Sequence, residues 1–221
     1  MTRRTRKRLA GGLALTGASA AAAYIAFRPR LLNWGATPAE MAAVLPGDDR
    51  VNDPPYVSTR AITIQARPEH VWPWLVQMGY RRGGLYSYDW LDRLFGYLDR
   101  PSAEEVLPEF QALRVGDRIP LGRGPSWPVA ELVPQRALVI EPVAGVVTWA
   151  FALTPLGDHA TRLVTRVRMR LEPSLSSRLA MTVMDPAAFV MTRKMLLGIR
   201  RRAEALNLRA SSSRPRPFAR P

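Results

Sequence analysis

The side chains best able to do chemistry cluster at Tyr86, Tyr88, Asp89 and Trp90, in the run Gly83-Gly84-Leu85-Tyr86-Ser87-Tyr88-Asp89-Trp90. A carboxylate in this setting can abstract or relay a proton once burial raises its pKa, while the phenol of Tyr86 or Tyr88 polarises a carbonyl. The same residues, joined by Trp127, also suit the polar-aromatic mouth of an apolar cavity, since each tyrosine adds one hydroxyl to a ring. The plainer alternative is that Asp89 caps the helix that follows and the rings are packing. The sequence leaves these readings open.

Other chemistry is sparse. His70 follows Glu69 in the first turn of a helix, which makes it an exposed residue more readily than a general base. His159 lies in the turn Gly157-Asp158-His159 and faces solvent. Cysteine is absent, which excludes disulfides, thiolate nucleophiles and sulfur-ligated metals. A metal would need carboxylates alone, and none cluster at suitable spacing, so neither metal nor cofactor is expected. There is no G-x-S-x-G, phosphate-binding loop, H-E-x-x-H or dinucleotide fingerprint.

The elements that position these residues follow from periodicity. Thr37-Pro38-Ala39-Glu40 is a capping box opening a short helix to about Leu45. Alternation over Val57–Ala66 predicts a first strand, and helices follow over Pro68–Met78, around Pro73, and Asp89–Leu98, with Trp90, Leu91, Leu94, Phe95 and Leu98 on its apolar side. Strands are predicted over Asp117–Leu121, Trp127–Val133, Ala137–Pro142, Val146–Thr154 and Thr161–Glu172. Val147, Trp149, Phe151 and Leu153 share one face of the fourth of these, as core or as cavity lining. On the last, Leu163, Thr165, Val167, Met169 and Leu171 oppose Arg162, Arg166, Arg168 and Arg170, which reads as one buried and one solvated face.

The final helix is predicted from Asp185, as N-cap before Pro186, to Asn207, about 34 Å at 1.5 Å per residue. Ser174 to Met184 reads as a less regular bridge into it. Ala188, Phe189, Thr192, Met195, Leu196, Ile199, Ala203 and Leu206 form its apolar stripe.

The net charge of +14 sits at the ends. Residues 1–30 carry seven Lys or Arg and no acid, and residues 209–221 carry four Arg and no acid. Residues 31–208 hold the other 21 cations and all 18 acids, leaving +3. That balance, and a strand arginine row without interleaved aromatics, argues against nucleic acid.

Five cations precede Leu9–Phe27, an uncharged run of 19 residues, near the roughly 20 needed to cross a bilayer. The positive-inside rule then places the following domain on the extracytoplasmic side of a single-pass anchor. Cleavage at Ala18-Ser19-Ala20, giving a secreted protein, is the competing reading.

Several stretches carry a family likeness: Thr59-Arg60-Ala61-Ile62-Thr63-Ile64, Pro68-Glu69-His70-Val71-Trp72-Pro73-Trp74-Leu75-Val76-Gln77-Met78-Gly79, the Gly83–Trp90 run and Val115-Gly116-Asp117. With the element order, they resemble the helix-grip fold of the START and birch-pollen-allergen-like (SRPBCC) superfamily, and within it the bacterial polyketide cyclase/dehydrase-like lipid-binding proteins. The resemblance covers roughly residues 34 to 207. It implies an α+β fold in which a curved antiparallel sheet wraps a long C-terminal helix, leaving a cavity between them.

The expected division is a basic stretch and membrane anchor over 1–30, a connector over 31–55, the helix-grip domain over 56–208 and a disordered basic tail over 209–221. The cavity lining expected on this basis is Tyr86, Tyr88, Trp90, Trp127, Trp149, Phe151, Phe189, Met195 and Ile199. The expected partner is a hydrophobic small molecule or lipid, bound without covalent chemistry. A cyclase- or dehydratase-like reaction through Asp89 with Tyr86 or Tyr88, and a cavity-free interaction module, are the alternatives. The sequence sets no oligomeric state.

Overall fold

A computed structural model describes residues 22–172 and 174–212. Helix α1 (22–32) leads into α2 (Pro38–Ala42) and strand β1 (Tyr56–Ile64). Helices α3 (Pro68–Val76) and α4 (Asp89–Leu94) follow. Then come β2 (Arg118–Pro120), β3 (Ser126–Val133), β4 (Ala137–Val143), β5 (Val147–Leu156), β6 (Ala160–Met169) and the terminal helix α5 (Leu175–Ser212). The strands form one antiparallel sheet of six, in the order β1-β6-β5-β4-β3-β2. Register breaks between Val129 and Glu131 and between Ile140 and Val143 are bulges, which bend a sheet. The class is α+β, as the alternation and the helical periods predict.

The inner face of the sheet supplies Ile62, Ile64, Leu138, Ile140, Phe151, Leu153 and Leu163 to the core. Against them lie Val71, Trp74, Leu75 and Met78 of α3 and its C-terminal turn, and Met195, Leu196, Ile199 and Ala203 of α5. Burial of each large side chain is worth about 1.5–3 kcal/mol, so this layer dominates the fold's stability. Pro73 stays inside α3.

Helix α5 begins earlier than its sequence signals. It runs 38 residues from Leu175, about 57 Å at 1.5 Å per residue. The bridge expected over Ser174 to Met184 is therefore helical, apart from Ser174 itself, whose Oγ accepts from the Ser177 N–H at 3.1 Å and caps it. Asp185 is not an N-cap: it is buried within the helix, and its Oδ2 accepts from the Tyr24 hydroxyl and from Arg28 Nε, each at 2.7 Å. Those tertiary partners replace the local role that the Asp-Pro pair suggested. Residues 209–212, expected in the tail, complete the helix, while 213–221 lie outside the described residues. The first half of α5 exposes Leu175, Leu179, Val183 and Val190, and the core stripe begins only at Met195.

Helix α4 is shorter than predicted. A Schellman motif stops it, with Gly96 at φ 75° donating to Arg93 O at 3.1 Å and Tyr97 N–H to Asp92 O at 2.7 Å.

Of the arginines expected on a solvated face only Arg170, just past the end of β6, is exposed. Arg166 is buried, donating to Thr59 Oγ1, to the carbonyls of Glu40, Met41 and Ala43, and to the carboxylate of Asp48. Arg162 reaches Glu40 through Nε (2.7 Å) and Nη2 (2.9 Å), and Arg168 donates to Val51 O at 3.0 and 3.2 Å. The segment before β1 thus covers the outer face of the sheet. It also closes the free edge of β1, because the Ala61 N–H donates to Trp34 O at 3.0 Å. Gly35 is required there: at φ 74°, a Cβ would lie 2.2 Å from Ala61 O.

Among the described residues no helix is long and apolar enough to cross a membrane. Residues 9–21 of the Leu9–Phe27 run lie outside them.

Arg166→Lys replaces a planar five-donor fork by a point charge and leaves buried carbonyls unpaired. It should destabilise the domain by about 2–4 kcal/mol, read as a lower urea midpoint at unchanged slope. The N–H groups of Arg162, helped by the Thr37 N–H, hold Glu40 far below the usual carboxylate range, at about 2. A carboxyl depressed in the folded state stabilises above its unfolded pKa and loses that contribution as pH falls. The stability gap between the wild type and Glu40→Gln should therefore be constant at neutral pH and close between 4.5 and about 2, as equilibrium unfolding at stepped pH will test.

Candidate functional site

An apolar groove of about 450 Å³ opens between the sheet, the α4 region and the first half of α5. Trp127 of β3 and Trp149 of β5 form its sheet wall, their ring centroids 6.1 Å apart at 69°. The Trp149 ring is fixed, since its Nε1 donates to Thr165 Oγ1 at 2.8 Å and its centroid lies 4.9 Å from that of Phe151. Helix α5 contributes Met184, Ala187, Ala188, Met191, Thr192 and Met195 at helical spacing, so two alanines leave space between methionines. Leu85, Phe95, Tyr97 and Leu121 complete the apolar lining. Phe95, Tyr97 and Met184 are also exposed, which gives the groove an apolar rim beside the exposed Trp90 and Leu94.

Two polar side chains from the α4 region interrupt this wall, Ser87 and Asp92. Asp92 is fully buried. Its Oδ2 accepts from Ser87 Oγ, while Oδ1 has no hydrogen-bond partner. Burial raises its pKa, the Ser87 hydroxyl lowers it in part, and the charge of Asp89 raises it further. Asp92 went unremarked in the sequence because the predicted apolar side of α4 held Trp90, Leu94 and Phe95. Trp90, Leu94 and Phe95 are exposed, Leu91 is half-buried, and Asp92 is inside.

The predicted catalytic group does not converge on the groove. Asp89 accepts from Ser102 N at 3.0 Å and Ser102 Oγ at 2.7 Å, joining the start of α4 to the loop beyond it. Ser102 Oγ also accepts from Tyr86 N at 3.2 Å. Tyr86 is buried in the core, edge-on to Trp74 at 5.9 Å and under the Arg202 guanidinium at 4.8 Å. Burial pushes its phenol far above the ordinary value, so it stays neutral. Tyr86 holds φ 58°, and Gly198 lets α5 approach it, since a Cβ there would lie 2.2 Å from Tyr86 O. Tyr88 lies beneath Lys194 Nζ at 5.4 Å, and Trp90 is exposed.

Of the residues expected to line a cavity, Trp127, Trp149 and Met195 meet in the groove. Phe151 and Ile199 are buried in the core, and Phe189 is half-buried on α5 outside the lining. His70 is half-buried, not exposed: its Nδ1 lies 2.8 Å from Asn207 Oδ1 and ties α3 to α5. His159 is exposed. Among the described residues no group of His, Cys, Asp and Glu is placed to hold a metal.

A second cleft, of about 580 Å³, lies between α1, β1 and the start of α5. Its lining mixes Arg28 and Glu172 with Tyr56 and Met181. The first groove is the one suited to an apolar molecule.

No family model matches the chain, and no curated protein does. Among solved structures it is similar to a protein from Chromobacterium violaceum, at 16% identity over 68% of this chain and 99% of that one, with a TM-score of 0.42. It is also similar to a Polyketide_cyc-like protein from Corynebacterium glutamicum, at 16% identity over 71% and 93%, with a TM-score of 0.33. The Aha1 dimer from Colwellia psychrerythraea is similar at 18% identity over 63% and 93%, with a TM-score of 0.37. At these values nothing of those proteins' chemistry carries over, and the site rests on its own geometry.

Tyr86 Oη is buried and makes no hydrogen bond of good geometry, although the Gln77 side chain lies close enough to offset part of the rise in its pKa. Tyr86→Phe therefore removes an unpaired hydroxyl and should leave stability within about 0.5 kcal/mol of the wild type or above it. A thermal melt reads this directly, and a loss beyond about 2 kcal/mol would reveal a hydrogen bond the geometry does not contain.

Proposed function

We propose that this chain binds a hydrophobic small molecule or lipid in the groove between the sheet and α5, without covalent chemistry. The observation that carries this reading is the 450 Å³ groove, walled by Trp127, Trp149 and the methionines of α5. Burying apolar ligand surface there contributes about 25 cal/mol per Å², before the costs of association. Membership of the SRPBCC superfamily, in its polyketide cyclase-like lipid-binding group, is part of the same proposal and rests on the resemblance of the sequence stretches and on the α+β architecture.

The protein is further proposed to be tethered to a membrane by Leu9–Phe27, with the domain on the extracytoplasmic side. The basic residues before that run support this, as do the exposed Ile25 and Phe27 on α1. The enzymatic alternative has less support, because Asp89 is occupied by Ser102 and Tyr86 is packed under Arg202. A cavity-free module fits poorly with a groove of this size.

Native mass spectrometry of the purified protein should find a co-purified apolar molecule. Ala188→Trp, which fills the space between Met184 and Met191, should weaken uptake of a fluorescent fatty-chain probe at least tenfold, about 1.4 kcal/mol, at unchanged melting temperature. Bare protein together with no probe uptake by the wild type would remove the reading.

A further inference from the structure

Asp92 is the feature of the groove that apolar binding alone leaves unexplained. A buried carboxylate is costly unless paired and fully hydrogen-bonded. Here one hydroxyl, that of Ser87, serves one oxygen, and the other oxygen has no partner. Among the described residues no cation forms an ion pair with Asp92, whereas the one other buried acid, Asp185, has Arg28, although its Oδ1 is also unpaired. The charge of Asp89 adds negative potential on the same side.

Four of the wall's side chains are aromatic, Trp127, Trp149, Phe95 and Tyr97, beside the leucines and methionines. Ring faces attract ammonium groups and disfavour anions. A carboxylate without a cation, set among rings in an apolar groove, is complementary to one kind of guest. That guest has an apolar body and a single positive donor.

We propose that the groove selects apolar molecules bearing a protonated amine, and that the amine pairs with the carboxylate of Asp92. The inference rests on the groove being a ligand site, and it adds the polar end of the ligand. Rotation of a carboxyl about its terminal torsion is soft, so Asp92 can turn its unpaired oxygen to an arriving donor while Ser87 holds the other. Ser87 is then a positioning residue, and the charge match gives selectivity among chains of equal length.

The test is displacement of Nile red from the full-length protein by dodecylamine, dodecanol and dodecanoate, each below its micellar concentration. The amine should displace the dye at roughly tenfold lower concentration than the alcohol, with the carboxylate weakest. Asp92→Asn, which keeps the shape and removes the charge, should bring amine and alcohol to within about twofold. Equal displacement by amine and alcohol in the wild type overturns the amine preference and leaves the apolar groove standing. A preference that survives Asp92→Asn overturns the assignment to Asp92. Failure of all three chains to displace the dye removes the groove as a site, and this proposal with it. The wild-type comparison needs no variant, so it holds even where Asp92→Asn folds poorly.

Discussion

The row of guanidinium groups on β6 is the constraint on which the rest of this structure depends. Arg162, Arg166 and Arg168 project from one face of the strand next to the β1 edge of the sheet, where bare charges would have to remain hydrated. They are instead satisfied by carbonyls and carboxylates of the segment between α1 and β1. A buried ion pair is weak evidence of net stabilisation, but its disruption leaves unpaired charge and is costly. The row therefore acts chiefly as a specification: the outer face of the sheet can be covered by this segment and little else. With that face committed to polar contacts, apolar burial is left to the inner face, and the groove forms there.

Inside, two polar arrangements sit a few residues apart and do different things. Asp89 and Ser102 satisfy each other and one backbone N–H, which locks the loop before α4 and holds Tyr86 in its left-handed conformation. Asp92, one helical turn further on, is left half satisfied in an otherwise apolar wall. The first is a closed structural unit. The second retains unspent hydrogen-bonding capacity in a wall of the groove.

Much of this was legible in the sequence wherever one physical signal dominated. Strict alternation and Gly/Pro turns placed the strands to within a few residues, down to the shared face of Trp149 and Phe151. The stripe Met195, Leu196, Ile199 and Ala203 marked the gripping half of α5 because nothing competes with burial there. The reading failed where a distant partner overrides a local preference. Asp185-Pro186 is a good helix start that lies mid-helix because Tyr24 and Arg28 claim the carboxylate. The arginines of β6 look solvated because their acceptors are main-chain carbonyls, which no composition displays. Asp92 was hidden by an assumption about hydrophobic faces: α4 exposes Trp90 and Leu94 and buries Asp92. For the N-terminal apolar run, residues 9–21 lie outside the described structure.

The contact between Asp185 and helix α1 has a mechanical corollary. Met184, Ala187 and Ala188, which wall the groove, flank the residue gripped by Tyr24 and Arg28. One carboxylate thus joins the N-terminal helix to the same stretch of α5 that walls the groove, so the outer jaw is braced from behind by α1.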